Sequence, residues 1–129
     1  MEITETKKRD SKKRGKWGEK IAAKYLTEKG YTIVATGFSS RFGEIDIIAR
    51  SKEYLTFVEV KTRKNKSFAN AREFVTKQKQ SKIIKTANYY LLKRQTTIQP
   101  RFDVIEIYAK DGEQTETPEI IHLENAFGA

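Results

Sequence analysis

Cysteine is absent from the 129 residues, which excludes disulfides and any zinc site built on thiolates. No apolar run approaches the roughly 20 residues that cross a bilayer. The N-terminus is charged from the start and lacks the apolar stretch of a signal peptide. A cytoplasmic chain with no membrane partner is therefore expected. A glycine-rich phosphate loop is also missing, since Gly15-Lys16-Trp17-Gly18-Glu19 does not follow the P-loop pattern. Histidine occurs once, at His122, and its acidic neighbourhood favours a structural role over metal ligation. The length suits one domain and leaves too little chain for two comfortable cores.

What the chain does have is positive charge, unevenly spread. The formal net charge is +9. Residues 7–20 hold eight Lys/Arg against two acids, residues 61–94 eleven against one, and residues 102–129 one lysine against seven acids. A concentrated basic region is the electrostatic footprint of a protein that holds phosphate backbones. The expected contacts are Lys12, Lys13, Arg14 and Lys16 near the N-terminus, Arg41 in a loop, Arg63 and Lys64 after a strand, and Lys79 and Lys82 on a helix. No helix joins a basic face to a bulky apolar one, so a membrane surface fits less well.

The hydrophobic pattern predicts an α/β domain in the order αβββαββ, a mixed sheet flanked by helices. Residues 1–13 read as a disordered basic arm, and residues 14–129 as the domain. A first helix is expected over 15–29, with Trp17, Ile21, Ala22, Tyr25 and Leu26 at helical spacing and Gly30 at its end. Strands are expected over 31–36, 43–50 and 54–63, the last two joined by a tight turn at Ser51-Lys52-Glu53. A polar loop at 65–71 precedes a second helix over 76–94. Strands over 102–109 and 119–123 close the chain.

Two strands carry charge where an apolar residue would be ordinary. In Leu55-Thr56-Phe57-Val58-Glu59-Val60-Lys61, alternation puts Phe57, Glu59 and Lys61 on one face and Val58 and Val60 on the other. A strand this apolar on both sides is expected at the centre of its sheet, and charges buried there need partners or a metal. In the preceding strand Glu44 and Asp46 share one face, Ile45 and Ile47 the other. Pairing through the short turn brings Asp46 beside Glu59 or Lys61. Two carboxylates that close repel unless a cation intervenes, and oxygen ligands suit Mg²⁺. Asp46, Glu59 and Lys61 thus read as a metal site with an adjacent ammonium, which can orient or deprotonate water or steady charge on a phosphate. The alternative is an ordinary Glu–Lys pair at a strand end. Glu19, at the edge of the first helix's apolar arc, and Gln80, on the core side of the second helix, can complete the site or stand solvated. Asp103 and Glu106 read as a solvated strand edge.

The ordered set of motifs resembles the PD-(D/E)xK nuclease superfamily and, more closely, the YraN-like endonuclease-like family related to archaeal Holliday-junction resolvases. The resemblance covers about residues 14–127. It rests on Gly15-Lys16-Trp17-Gly18-Glu19, Gly43-Glu44-Ile45-Asp46-Ile47-Ile48-Ala49 and Phe57-Val58-Glu59-Val60-Lys61-Thr62-Arg63. It continues through Lys79-Gln80, Arg101-Phe102-Asp103-Val104-Ile105 and Asn125-Ala126-Phe127. It implies a restriction-endonuclease-like core, with Asp46 and Glu59 as ligands of Mg²⁺ or Mn²⁺. It further implies that Lys61 assists the attacking water, that Glu19 supports the site, and that Gln80 is auxiliary. Gly37 and Ser39 stand where the family usually carries Asn and Arg, and Phe68-Ala69 where it carries Phe-Gly, so substrate contacts from those places are not carried over. The expected activity is metal-dependent endonucleolytic cleavage of nucleic acid, DNA before RNA, with branched or junction DNA included. A junction substrate would call for a homodimer, which the residues leave open. The alternative is a nucleic-acid-binding or scaffold protein with a nuclease fold and little turnover.

Overall fold

The computed structural model describes residues 2–65 and 75–128, with only the backbone described for residues 2–14. Its elements are α1 (Glu2–Glu28), β1 (Thr32–Ser40), β2 (Gly43–Arg50), β3 (Tyr54–Arg63), α2 (Lys77–Arg94), β4 (Gln99–Tyr108), a 3-10 turn (Gly112–Gln114) and β5 (Glu119–Phe127). The αβββαββ order is the one read from the sequence. α1 starts well before the expected Gly15, over residues read as a disordered arm. Glu, Lys and Arg are good helix formers, and Glu5 lies four residues before Arg9, a supporting helical spacing. The side chains of Lys12, Lys13 and Arg14 lie outside the described residues, as does most of the loop expected over 65–71.

Gly30 ends α1 as expected. Its φ of +99° lets the Tyr31 N–H donate to the Leu26 carbonyl and the Gly30 N–H to the Thr27 carbonyl, the pair of bonds that closes a helix through a left-handed residue. α2 starts from Thr76, whose hydroxyl accepts from the Lys79 N–H at 3.1 Å.

The strands form one sheet in spatial order β1-β2-β3-β4-β5. Only β3 and β4 pair in parallel; the other neighbours are antiparallel. β3 is central, as its apolar character on both faces requires. Each helix covers one face. Ala22 and Leu26 of α1 pack with Ile47, Ala49, Val58, Ile105 and Ile107. Ile83, Ala87 and Tyr90 of α2 pack with Ile48, Leu55, Phe57, Phe102 and Val104. The opposed faces of Phe57 and Val58 follow the alternation predicted for β3.

Two expectations are corrected. Ile45 and Ile47 do not share a face: Ile45 joins the cluster under α2 and Ile47 the one under α1. The β2–β3 ladder runs only from Arg50↔Leu55 to Ile47↔Val58. At Asp46 the strands part, and the regular alternation no longer holds through that point. Asp103 and Glu106 are no solvated edge either. β4 lies between β3 and β5, and both side chains are fully buried.

Candidate active site

The fork between β2 and β3 is where the acidic residues meet. Beyond Ile47↔Val58 the Val60 N–H donates to Asp46 Oδ2 at 2.8 Å, so a side chain takes a donor that a regular ladder would give to backbone. This fixes the Asp46 carboxylate one step from Glu59. α1 brings Glu19 to the same place. Gly18 makes that approach possible: a Cβ there would stand 2.1 Å from Thr62 Oγ1 on β3. From the other helix, Lys79 Nζ lies 2.5 Å from Glu59 Oε1. Glu19, Asp46, Glu59 and Lys79 line one open cleft of about 810 Å³, with Lys16, Lys20, Glu44 and Gly37 around its mouth.

The electrostatics follow from three carboxylates packed against two ammoniums. Burial pushes the Asp46 carboxyl up to about 6, with Glu19 adding to the rise and the Val60 N–H and Lys79 opposing it. Glu19 is raised by burial, and by Glu44 and Glu59, against a hydrogen bond with Asp46 that pulls it down. Burial and then Asp46 raise Glu59, with Lys79 opposing. Burial and the neighbouring Lys79 lower the Lys61 ammonium. Burial alone would lower Lys79, but its bond to Glu59 outweighs that and holds it above the usual lysine value.

Asp46, Glu59 and Glu19 are thus brought into one constellation on the cleft wall; Lys61 does not line the cleft but lies within electrostatic reach of Glu59 and Asp46. Gln80 is not among the cleft's lining residues; its Nε2 donates to the Val75 carbonyl at 2.9 Å and ties down the start of α2. Its neighbour Lys79, expected only as a phosphate contact, is the α2 residue that reaches the acids. Lys16 is exposed and lines the cleft; Arg41 and Lys64 are exposed just outside β2 and β3, and Lys82 is exposed one turn beyond Lys79 on α2. Arg63 is half-buried and pairs with Glu106, Nε to Oε1 at 3.2 Å.

A second polar cluster lies apart from the cleft. Arg101 grips Asp103 through Nε and Nη2 at 2.9 and 2.8 Å. His122 Nε2 bonds the same carboxylate at 2.7 Å and the Asn125 N–H donates to it. His122 Nδ1 is hydrogen-bonded to the Tyr25 hydroxyl. His122 is thereby held by β4 and α1, in keeping with the structural role expected for it.

Residues 18–107 match the model of the uncharacterised protein family UPF0102. The chain belongs to this family. A UPF0102 protein of Caldanaerobacter subterraneus subsp. tengcongensis is 44% identical over 122 residues, 94% of this chain and 99% of that protein. One from Clostridioides difficile is 41% identical over 119 residues, 92% and 99% of the two chains. One from Legionella pneumophila is 40% identical over 121 residues, 92% and 98%. UPF0102 is the YraN-like, PD-(D/E)xK nuclease-like group that the motifs resemble. The five-stranded mixed sheet between two helices is compatible with its restriction-endonuclease-like core. No helix among the described residues is long and apolar enough to cross a membrane.

The donor set suits a hard divalent cation. Its ligands would be carboxylate oxygens only, and the buried, mutually repelling Glu19, Asp46 and Glu59 carboxyls form a place that added positive charge would relieve. Among the described residues no three His, Cys, Asp or Glu side chains are grouped as ligands of a single ion. Asp46 and Glu59 would therefore be the protein's share of the coordination, with water and substrate phosphate oxygens supplying the rest.

Proposed function

We propose that this UPF0102 chain is a metal-dependent endonuclease that hydrolyses phosphodiester bonds in nucleic acid, with DNA the foremost substrate and branched or junction DNA within its range. The observation that carries the reading is the convergence of Glu19, Asp46, Glu59 and Lys79 on an open cleft at a fork in the sheet, with Lys61 within electrostatic reach of the acids. Mg²⁺ or Mn²⁺, when bound, would neutralise phosphate charge and acidify water. Asp46 and Glu59 would hold it. Glu19 backs Asp46 and keeps its carboxyl oriented through their hydrogen bond. Lys61, whose ammonium gives up its proton more easily than usual, orients the attacking water or steadies charge on phosphorus oxygens. Lys16, which lines the cleft, and the exposed Arg41, Lys64 and Lys82 would supply the contacts to the backbone. A cytoplasmic location is proposed with this activity, and a homodimer would give a junction substrate two clefts.

One observation favours a binding protein with little turnover: Glu59, half of the ion's protein ligands, is already bonded to Lys79. Identically purified parent, Glu59→Gln and Lys61→Met proteins separate the two. Each is incubated with labelled duplex, single-stranded and branched DNA, and with RNA, in Mg²⁺, Mn²⁺ or EDTA. The endonuclease reading expects divalent-dependent cleavage by the parent, reduced about 10²–10³-fold in Lys61→Met and lost in Glu59→Gln. Equal cleavage by all three, or none by the parent on any substrate, would remove it.

A further inference from the structure

α2 opens with the wrong charge. Its first turn holds no acid and carries Lys77 and Lys79, although the N-terminal end of a helix favours anions. Lys79 also lies against Lys61, a second ammonium. Two unfavourable neighbours are offset chiefly by the bond from Lys79 Nζ to a Glu59 carboxylate that is 4% exposed, with Asp46 adding a weaker attraction. The Lys79 side chain itself is 42% exposed and lines the cleft beside the route to Lys16 and the mouth.

We infer that Lys79 is an internal counter-cation: it occupies Glu59 until a divalent ion takes that carboxylate, and the released ammonium then turns outward to a nucleic-acid phosphate. This rests on the reading of the cleft as a metal site. An ion on Glu59 would set a second positive charge within a few ångströms of the Lys79 ammonium, which lies 2.5 Å from Glu59 Oε1, and would draw off the negative charge that holds it. Ion and Lys79 therefore compete for Glu59. Once detached, Lys79 is held only by the weaker pull of Asp46, which the ion would also engage, while the helix end and Lys61 both repel it. A phosphate at the cleft mouth would attract it. Ion binding and backbone binding then favour one another, and such coupling is reciprocal: phosphate that draws Lys79 away frees Glu59 for the ion. Lys79 is on this account a positioning residue that links the two ligands.

The test is calorimetric titration of the metal-free full chain with Mn²⁺. Lys79→Met is expected to bind the ion about tenfold more tightly than the parent, a common size for coupled sites, and Lys79→Arg to stay near the parent. A short phosphorothioate DNA duplex should tighten Mn²⁺ binding by the parent and have less effect in Lys79→Met. Unchanged or weaker Mn²⁺ binding by a folded Lys79→Met protein overturns the inference. Should that variant not fold, the parent decides: the ¹⁵N signal of the Lys79 ammonium must shift on titration with diamagnetic Mg²⁺, and a signal that stays put overturns the inference. Asp46→Asn separates this from the metal reading. If it binds Mn²⁺ as the parent does, the cleft is not the ion's site and both fail. If it loses the ion while Lys79→Met gains nothing, only the counter-cation is wrong.

Discussion

A single hydrogen atom in place of a methyl group decides how near α1 comes to β3. The Cβ of an alanine at position 18 would stand 2.1 Å from Thr62 Oγ1 and 3.4 Å from Thr62 Cβ. Glu19 is the next residue, so whatever moves Gly18 moves the carboxyl that backs Asp46. Crowding of this kind costs about 1–3 kcal/mol, against a helix-propensity gain of about 1 kcal/mol for alanine over glycine. Gly18→Ala is therefore expected to lower stability by up to about 2 kcal/mol and to weaken Mn²⁺ binding. In a Thr62→Ala background, where the hydroxyl is gone, the same change should be neutral or stabilising. Denaturant unfolding of the four proteins in the cycle measures this. If Gly18→Ala costs the same in both backgrounds, contact with Thr62 is not what holds the position.

At the scale of elements, β4 and β5 are pinned by a charge cluster rather than by apolar contact alone. Burial would raise Asp103, but His122, Arg101 and the Asn125 N–H outweigh it and hold the carboxyl below its usual range. A free aspartate titrates near 3.9. With the folded pKa beneath that, the contribution to stability is full above about pH 4 and disappears as pH falls through the folded value. Asp103→Asn strands the Arg101 guanidinium and is expected to cost about 3–5 kcal/mol at neutral pH. Its stability should also decline less than the parent's on acidification, as followed by circular dichroism across pH 2–7. Parallel acid profiles for the two proteins would show that Asp103 is not the titrating brace. Elements with local signals were legible in the sequence: β2, β3 and their turn match the expected bounds, Thr76 caps α2, and Gly30 ends α1. What escaped depends on tertiary contacts. β4 looked like an edge because nothing local reveals that β5 will cover it. Gln80 and Lys79 are about 100° apart around the helix, and only the docking of α2 decides which of two such neighbours faces the acids. Likewise the switch of face between Ile45 and Ile47 comes from the parting of two strands, which no alternation rule contains.

For the whole molecule, charge is arranged like an arrow. Of the seven acids in 102–129, Asp103 and Glu106 are buried, while Asp111, Glu113, Glu116, Glu119 and Glu124 are exposed along the β4–β5 side. The exposed Lys16 lines the cleft, and the exposed Lys82 follows the cleft residue Lys79 by one turn of α2. A polyanion would thus meet the cleft and be turned away from the other edge. Lys16→Gln with Lys82→Gln should lower the salt slope of duplex DNA binding by roughly 0.9 per lysine. Lys52→Gln, at the far turn of the β2–β3 hairpin, should leave it unchanged. Fluorescence anisotropy over a range of salt concentrations tests this, and equal slopes for all three proteins would argue against the cleft as the binding face.

The one parallel pairing in the sheet has a further effect, in time rather than space. β2 and β3 close through Ser51-Lys52-Glu53, whereas β4 reaches β3 only after the crossover of residues 64–98. Local pairings form sooner than distant ones because less chain entropy is lost in closing them. Amides of Ile48 and Ala49 should therefore gain protection before those of Val104 and Ile105 in pulse-labelled hydrogen exchange; simultaneous protection would refute this order. The strands bearing Asp46 and Glu59 would then come together before the crossover that carries Lys79 is closed. On the proposed reading, a newly made chain would offer its two acids to a divalent ion before the competing lysine has arrived.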